Sequence, residues 1–541
     1  MNWIQVYNPL GNLALSALVA GIPLYILFYM LAVRRSPGHW AALFGTGSAV
    51  LLAILVWGMP VGLALNSTLM GAAFGIFPIV WIILNTIWVY NMTVESGEFD
   101  KIRNSLACIT DDRRLQALFI AFAFGSFIEG TAGFGTPVAI TAAMLVGLGF
   151  NPMYAAGICL IANTAPVAFG AIGIPIVVAA KVTDLDMMKI SQIVGRQLPF
   201  LAMLVPIWLS VTMCGFKRSL EVLPALIVAG LCFAVTQFAV SNFVGPYLPD
   251  ILSAIVTIVG LGLFLRVWKP SKIFHFADEK PTGPVTCQYG SGQIVRAWTP
   301  YFILAVMVFL WGLEPVKALL GPLGASFSWP ALHNLVVKTA PIVAKNSPYA
   351  ATYSLNIGSA AGTAILISGL FSVLIIPNYG AGKAVACYVR TAKQLRYPIV
   401  TIAMILGLAY IMNYSGMSSS MGLALAATGV LFPFFAPILG WLGVFLTGSD
   451  TSSNALFGSL QKTTATQIGV DPALMVAANS SGGVCGKMIS PQSISVATAA
   501  AGLVGQEGNI FRFTLGHSMA MVLFISVLTM LQAYVLKWML P

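Results

Sequence analysis

Apolar stretches, separated by short polar ones, run along nearly the whole chain. Residues 13–33, 40–57 and 77–89 open the series, and 198–214, 223–240 and 251–268 continue it. A second set follows at 299–313, 350–376, 398–414, 421–445 and 514–538. Each is near the ~20 residues that cross a bilayer as a helix. Two regions depart from this pattern. Residues 115–180 remain apolar but are rich in glycine and proline, and residues 446–493 carry dense polar runs where membrane depth is expected. Such segments are tolerated at that depth only where they line a protein cavity or bind something. The pattern predicts an all-α polytopic membrane protein, with about 12–14 transmembrane helices plus re-entrant hairpins.

Composition agrees with that class. Of 541 residues, 58% are hydrophobic and only 8% charged, with mean hydropathy +0.90. A soluble domain carries roughly 25% charged residues. The net charge of +11 would suggest nucleic acid in a soluble protein. Here the basic residues sit in loops, as cytoplasmic loops of membrane proteins require. The partner expected is the lipid bilayer, and no nucleic acid is expected. The start lacks a basic n-region, so the first apolar run reads as an uncleaved helix. The seven cysteines are scattered, with no C-x-x-C. Cys159, Cys214 and Cys232 read as packing residues, and no disulfide framework is expected. His39, His275, His333 and His517 are far apart, so no metal and no cofactor are expected. Gly133 and Gly135 form a G-x-G without the third glycine or a βαβ context, which discards a dinucleotide site.

Basic loops set an orientation. Arg34 and Arg35 follow the first run, Lys101, Arg103, Arg113 and Arg114 follow the third, and Lys217 and Arg218 lie between later spans. The polar stretch 269–296, with Lys272, His275, Asp278, Glu279, Lys280 and Cys287, reads as a cytoplasmic linker. Both termini are then expected outside. Four stretches result: a first repeat at 1–215, an extra helical hairpin at 216–268, the linker, and a second repeat at 297–541.

The halves match in sequence. FPIVWIILNTIWVY at Phe77 resembles YPIVTIAMILGLAY at Tyr397, an offset of 397 − 77 = 320. GFNP at Gly149 falls on GVDP at Gly469, again 320, and GSFIEG at Gly125 on GVFLTG at Gly443, 443 − 125 = 318. Asn163 and Pro175 fall on Asn479 and Pro491, and Arg196 on Arg512, each at an offset of 316. The basic loop follows the repeated helix in the first copy and precedes it in the second. The same helix therefore runs inward once and outward once, which is an inverted-topology repeat.

Candidate chemistry gathers in four segments: 127–141, 163–175, 446–457 and 479–493. Their polar residues are candidate substrate ligands: Thr131, Gly133, Asn163, Thr164, Ser449, Thr451, Ser452, Ser453, Asn454, Asn479, Ser480, Ser481, Lys487 and Gln492. Glu129 and Asp450 are the carboxylates of the repeated motifs and the candidates for proton coupling. Asn163 and Asn479 are expected to begin broken helices whose N-termini face an anion. Structural roles stand beside these: Asp450 as a helix cap, Lys487 as a snorkelling lysine, the hydroxyls and amides as interhelical links, and Arg196 and Arg512 as interface anchors.

Four motifs carry a family likeness: EGTAGFGTPVAIT, NTAPVAFGAIGIP, GWLGVFLTGSDTSSNALF and GKMISPQSI. With them the whole chain resembles the bacterial lactate permeases, a family that includes glycolate permeases. The resemblance implies proton-coupled uptake of L-lactate, D-lactate or glycolate across the bacterial inner membrane, with the small carboxylate and protons as partners. It also implies, by distant analogy, a fold with re-entrant hairpins and elevator-type motion. A sodium-coupled carboxylate symporter, a membrane enzyme or respiratory subunit, and a passive channel are the competing readings.

Overall fold

The structure is a computed structural model that describes residues 2–34, 36–133, 135–276, 288–343, 345–503 and 505–541. The expectations on Arg35, Asp278, Glu279, Lys280 and Cys287 lie outside the described residues. Among those described, ten helices are long and apolar enough to cross a membrane, or eleven if the bent pair Pro152–Ala162 and Val167–Thr183 counts as one span. This is fewer than the expected 12–14. Part of the reason is length: Thr136–Gly147 and Ala361–Ile375 are apolar but too short to qualify.

Helix faces follow a lipid solvent. On Ala361–Ile375 the buried positions include Gly362, Ser368, Gly369 and Ser372, whereas Leu374 is 82% exposed. Small and polar residues face protein and large apolar ones face outward, because lipid competes with the interior for apolar side chains but not for polar ones.

The elements that carry the motifs form two hairpins and two broken helices. In the first half, α1 (Gly125–Thr131) and α2 (Thr136–Gly147) make a hairpin, followed by α3 (Pro152–Ala162) and α4 (Gly170–Thr183) with a break between them. The extra helical pair at 216–268 ends in α5 (Pro249–Val267). In the second half, α6 (Phe432–Thr447) and α7 (Asp450–Ile468) make the hairpin, and α8 (Pro472–Lys487) and α9 (Pro491–Ala501) the broken helix. Spacing repeats closely. The span Met187–Cys214 recurs as Glu507–Tyr534, with both ends shifted by 507 − 187 = 534 − 214 = 320.

Packing between the halves is reciprocal. Helix α4 packs on α7, and α9 packs on α2 and α3. Within the second half, α6 and α8 cross at glycines. A Cβ on Gly482 would meet the Pro437 carbonyl, and one on Gly440 the Asn479 carbonyl. Small residues permit this approach, which replaces the hydrophobic drive that helices lack in lipid.

Basic loops gather at one end. Arg114 is fully buried there; it donates to Asp112 Oδ2 at 2.7 Å, Glu221 Oε2 at 2.9 Å, the Arg218 carbonyl at 2.6 Å and the Lys272 carbonyl at 2.9 Å. Three loops are thus tied to one guanidinium. Cys108, in the loop before it, is disulfide-bonded, while Cys159, Cys214 and Cys232 are free. At the opposite end, Trp3–Ile4 pairs in parallel with Val336–Lys338, and Ala325–Ser328 pairs with Thr352–Leu355. The last turn lies at that end too, where Arg196 holds the Met539 carbonyl at 2.8 Å. Arg196 also donates to Asn242 Oδ1 at 2.8 Å, so it is a tertiary link as well as the anchor expected.

Gly482→Val should lower the thermal midpoint of the detergent-solubilised protein, since overpacking costs typically 1–3 kcal/mol. Gly516→Ala, with nothing near its added Cβ, should leave the midpoint unchanged or slightly raised. Fluorescence-detected size exclusion after heating reads both.

Candidate functional site

The first cluster forms where the hairpin α1–α2 meets the break in α3–α4. Gly133 and Gly135 turn the hairpin with φ of +58° and +82°. Glu129, 3% exposed, sits at the last turn of α1, and its Oε2 accepts from Asn163 Nδ2 at 3.0 Å. Its other oxygen lies against Gly170, where any Cβ would sit 2.7 Å from it. Asn163 does not begin a helix, contrary to expectation: it is the C-cap of α3. The backbone then turns left-handed at Ala171, Ile172 and Gly173 before the right-handed helix resumes. A β-branched residue such as Ile172 at φ +57° is a conformation held only by its surroundings, and such outliers concentrate at functional sites. Asn163 Oδ1 and Thr164 Oγ1 are buried without a partner, whereas Thr131 Oγ1 donates to the Phe127 carbonyl at 2.9 Å. Thr131 is therefore occupied within its own helix.

The second cluster centres on Asp450. Ser449, not Asp450, is the N-cap of α7, with its Oγ accepting from Ser452 N at 3.3 Å. This frees the Asp450 carboxylate to turn into the core, where Oδ2 accepts from Ser480 and, at 3.4 Å, from Asn454. Asn479 donates to Asn454 Oδ1 at 2.9 Å and accepts from Gln461 at 3.2 Å. Asn479 lies inside α8 and does not begin a helix, so the break comes later, between Lys487 and Pro491. Ser453 donates to the Gly440 carbonyl at 3.1 Å, a structural link. Asp450 Oδ1 and the Ser481 hydroxyl are buried and unpartnered. Lys487 is 6% exposed, lies within electrostatic range of Asp450, and makes no hydrogen bond or ion pair among the described residues. Asn454 Nδ2 also reaches the Pro175 carbonyl at 3.2 Å, which joins this cluster to the broken helix of the first half.

Other predicted residues fall elsewhere. Ser449, Thr451 and Ser452 line a crevice of about 20 Å³ against Ile83, Ile402 and Ile405. Gln492 is exposed and leans on Gly448, outside both buried clusters.

One carboxylate escaped the sequence reading. Asp250 opens α5, 1% exposed, with both carboxylate oxygens buried and the Gln237 side chain beside them. Its Cβ would lie 2.9 Å from a Cβ on Gly130, next to Glu129. An acid in the first turn of a helix is an ordinary dipole partner, so nothing local marked it. Only the packing of α5 on α1 makes it a buried charge.

The sequence profile of the family described as L-lactate permease matches residues 16–536. The chain belongs to the L-lactate permease family. The permease is 52% identical to a glycolate permease of Escherichia coli strain K12 and 50% identical to an L-lactate permease of Bacillus subtilis strain 168, in each case over 100% of both chains. It also overlays on a solved transporter, MtrF of Neisseria gonorrhoeae, over 90% of this chain and 85% of that one, at 13% identity and TM-score 0.46, a likeness too slight to carry any inference. The relatives are permeases and not enzymes, which removes the membrane-enzyme reading. The permease is a multi-pass protein of the bacterial inner membrane.

Two alanine variants separate satisfied from unsatisfied groups here. Asn479→Ala strands Asn454 and Gln461 in a dry interior and should cost about 1–3 kcal/mol. Ser481→Ala removes a hydroxyl that had no partner and should be neutral or stabilising. Thermal unfolding of the purified permease in detergent checks the contrast.

Proposed function

We propose that the permease takes up L-lactate, D-lactate and glycolate by proton symport, with the two polar clusters as its transport site. Names of relatives supply the carboxylate class. Lys487, 6% exposed, beside a helix break and within electrostatic range of Asp450, carries the site assignment. An anion there meets Lys487, the N-terminal turn of α9, and hydroxyl and amide groups suited to a 2-hydroxy acid.

Proton coupling follows from energetics. Importing a monoanion alone into a negative-inside cell is opposed by roughly 2.3 kcal/mol per 100 mV. One accompanying proton makes the step electroneutral. Glu129 is the proposed carrier. It has a single amide donor, Asn163, and shares its surroundings with Asp250, whose carboxylate lies beside the Gln237 side chain. Two buried carboxylates in one pocket offer a moving proton two neighbouring acceptors. Asp450 is engaged by Ser480 and Asn454 and orders the second hairpin instead. The inverted repeat is part of the proposal, supported by the shared 320-residue spacing and by the reciprocal packing of α4 on α7 and α9 on α2. The end with Arg114 is taken as cytoplasmic and the end with both termini as external.

Uptake of labelled L-lactate into proteoliposomes should follow an imposed pH gradient without sodium. Uptake that requires a sodium gradient instead would replace the proton assignment. Glu129→Gln should abolish uphill uptake yet retain lactate–lactate exchange, while Asp450→Asn should damage both. Lys487→Ala should raise the KM by roughly tenfold or more, as expected for losing a charge-assisted contact, and Lys487→Arg by less. Wild-type accumulation by Glu129→Gln would move the proton elsewhere.

A further inference from the structure

A second polar cavity lies at the end that holds both termini. It has a volume of about 100 Å³ and is lined by Lys338, Lys462, Asp184, Tyr349, Ser418 and Ser459, among others. A water needs roughly 10–15 Å³ by this measure, so the space suits a small organic acid. Lys462 reaches it from α7 with its ammonium on the Thr183 carbonyl at 2.6 Å. Lys338 reaches it from strand Val336–Lys338, its ammonium 3.5 Å from the Tyr349 ring centroid. Neither ammonium is paired with a carboxylate among the described residues. Ser418, 3% exposed, lines the same cavity and its hydroxyl has no partner among the described residues. The groups present are two cations, one exposed carboxylate and the Ser418 hydroxyl, a set with an excess of positive charge.

The cavity is continuous in structure with the deep clusters. Ser459 and Lys462 on α7 hold the Val182 and Thr183 carbonyls at the end of α4, and Asn454 on the same helix holds the Pro175 carbonyl. At 1.5 Å rise per residue, Lys462 stands about 18 Å along α7 from Asp450. We propose that this cavity is an external capture site for a small 2-hydroxy monocarboxylate, held between Lys338 and Lys462 before it moves along the α4–α7 seam. The proposal rests on the reading of the chain as a carboxylate carrier. Its physical logic is electrostatic: a positive recess concentrates an anion at a mouth that the membrane potential opposes.

Burial and then the charge of Lys462 lower the Lys338 ammonium, with Asp184 acting in the opposite direction, to about 8 in all. Tyr349 and Tyr7 are titratable groups in the neighbouring segments, and burial lowers Lys462 as well. Lys338 is cationic below that pH, and an anion favours the cationic form. Capture should therefore be strong below pH 8 and fall as pH rises through it.

The test uses full-length protein in proteoliposomes at fixed pH gradient. Lys338→Gln and Lys462→Gln should each raise the KM for L-lactate by roughly tenfold with maximal rate nearly unchanged. Both should also flatten the rise of KM with external pH. Lys338→Arg and Lys462→Arg, which keep the charge, should restore most of the affinity. KM within about twofold of wild type in both glutamine variants overturns the site, and so does an equal loss in the arginine variants. Isothermal titration of the purified protein with L-lactate separates this from failure of transport. If the wild type transports no 2-hydroxy acid but binds L-lactate in a Lys462-dependent way, the site stands and the carrier reading falls. If binding is absent, or unchanged in Lys462→Gln, the site falls.

Discussion

A carboxylate at membrane depth needs a donor, a cation or a proton, and the centre of this permease is arranged around three of them. Glu129, Asp250 and Asp450 are each at most 3% exposed. Burial removes each of them from bulk solvent, so an oxygen that lacks a partner carries a desolvation cost. Asp450 meets that cost with Ser480 and Asn454, and these in turn order Asn479 and Gln461. Glu129 and Asp250 are far less satisfied. The difference sorts the three into one that builds a hairpin and two that suit a moving charge.

That arrangement depends on backbone that is not helical. The left-handed turn at Ala171 to Gly173 brings Gly170 against Glu129 and Gly173 against the Pro246 carbonyl. In lipid such backbone would expose unsatisfied peptide groups. Here it lies inside protein, between α1, α5 and α7. The hairpins are held by close crossings such as Gly482 on Pro437, which leave no room for a side chain. Tight crossings fix the hairpins, and each hairpin in turn receives the broken helix of the other half.

Charge divides along the molecular axis. At one end Arg114 is saturated by two carboxylates and two carbonyls, and it works as a structural tie. At the other, Lys338 and Lys462 face a cavity, and neither forms an ion pair among the described residues. Between them Lys487 lies buried within electrostatic range of Asp450. A guanidinium with five fixed donors suits the first task, while compact ammonium groups on flexible stems suit contact with a transient anion.

The sequence by itself determined the membrane class, the family and the segments where polar groups enter the core. Those properties rest on apolar run length, spacing and local motif, all of which are written along one dimension. Ser449 and Asp450 show the limit: both are good caps, and only the turn geometry decided which one caps and which one points inward. Asn163 and Asn479 read as helix starts because glycine and proline follow them, yet they end or continue helices, since tertiary contacts set the breaks later. Asp250 carried no local signal in the sequence, and only the packing of α5 on α1 buried it. The lysine cavity joins residues over 100 positions apart, such as Lys338 and Lys462. Burial, pairing and electrostatic range are properties of neighbours in space, and only the tertiary structure decided which residues those neighbours are.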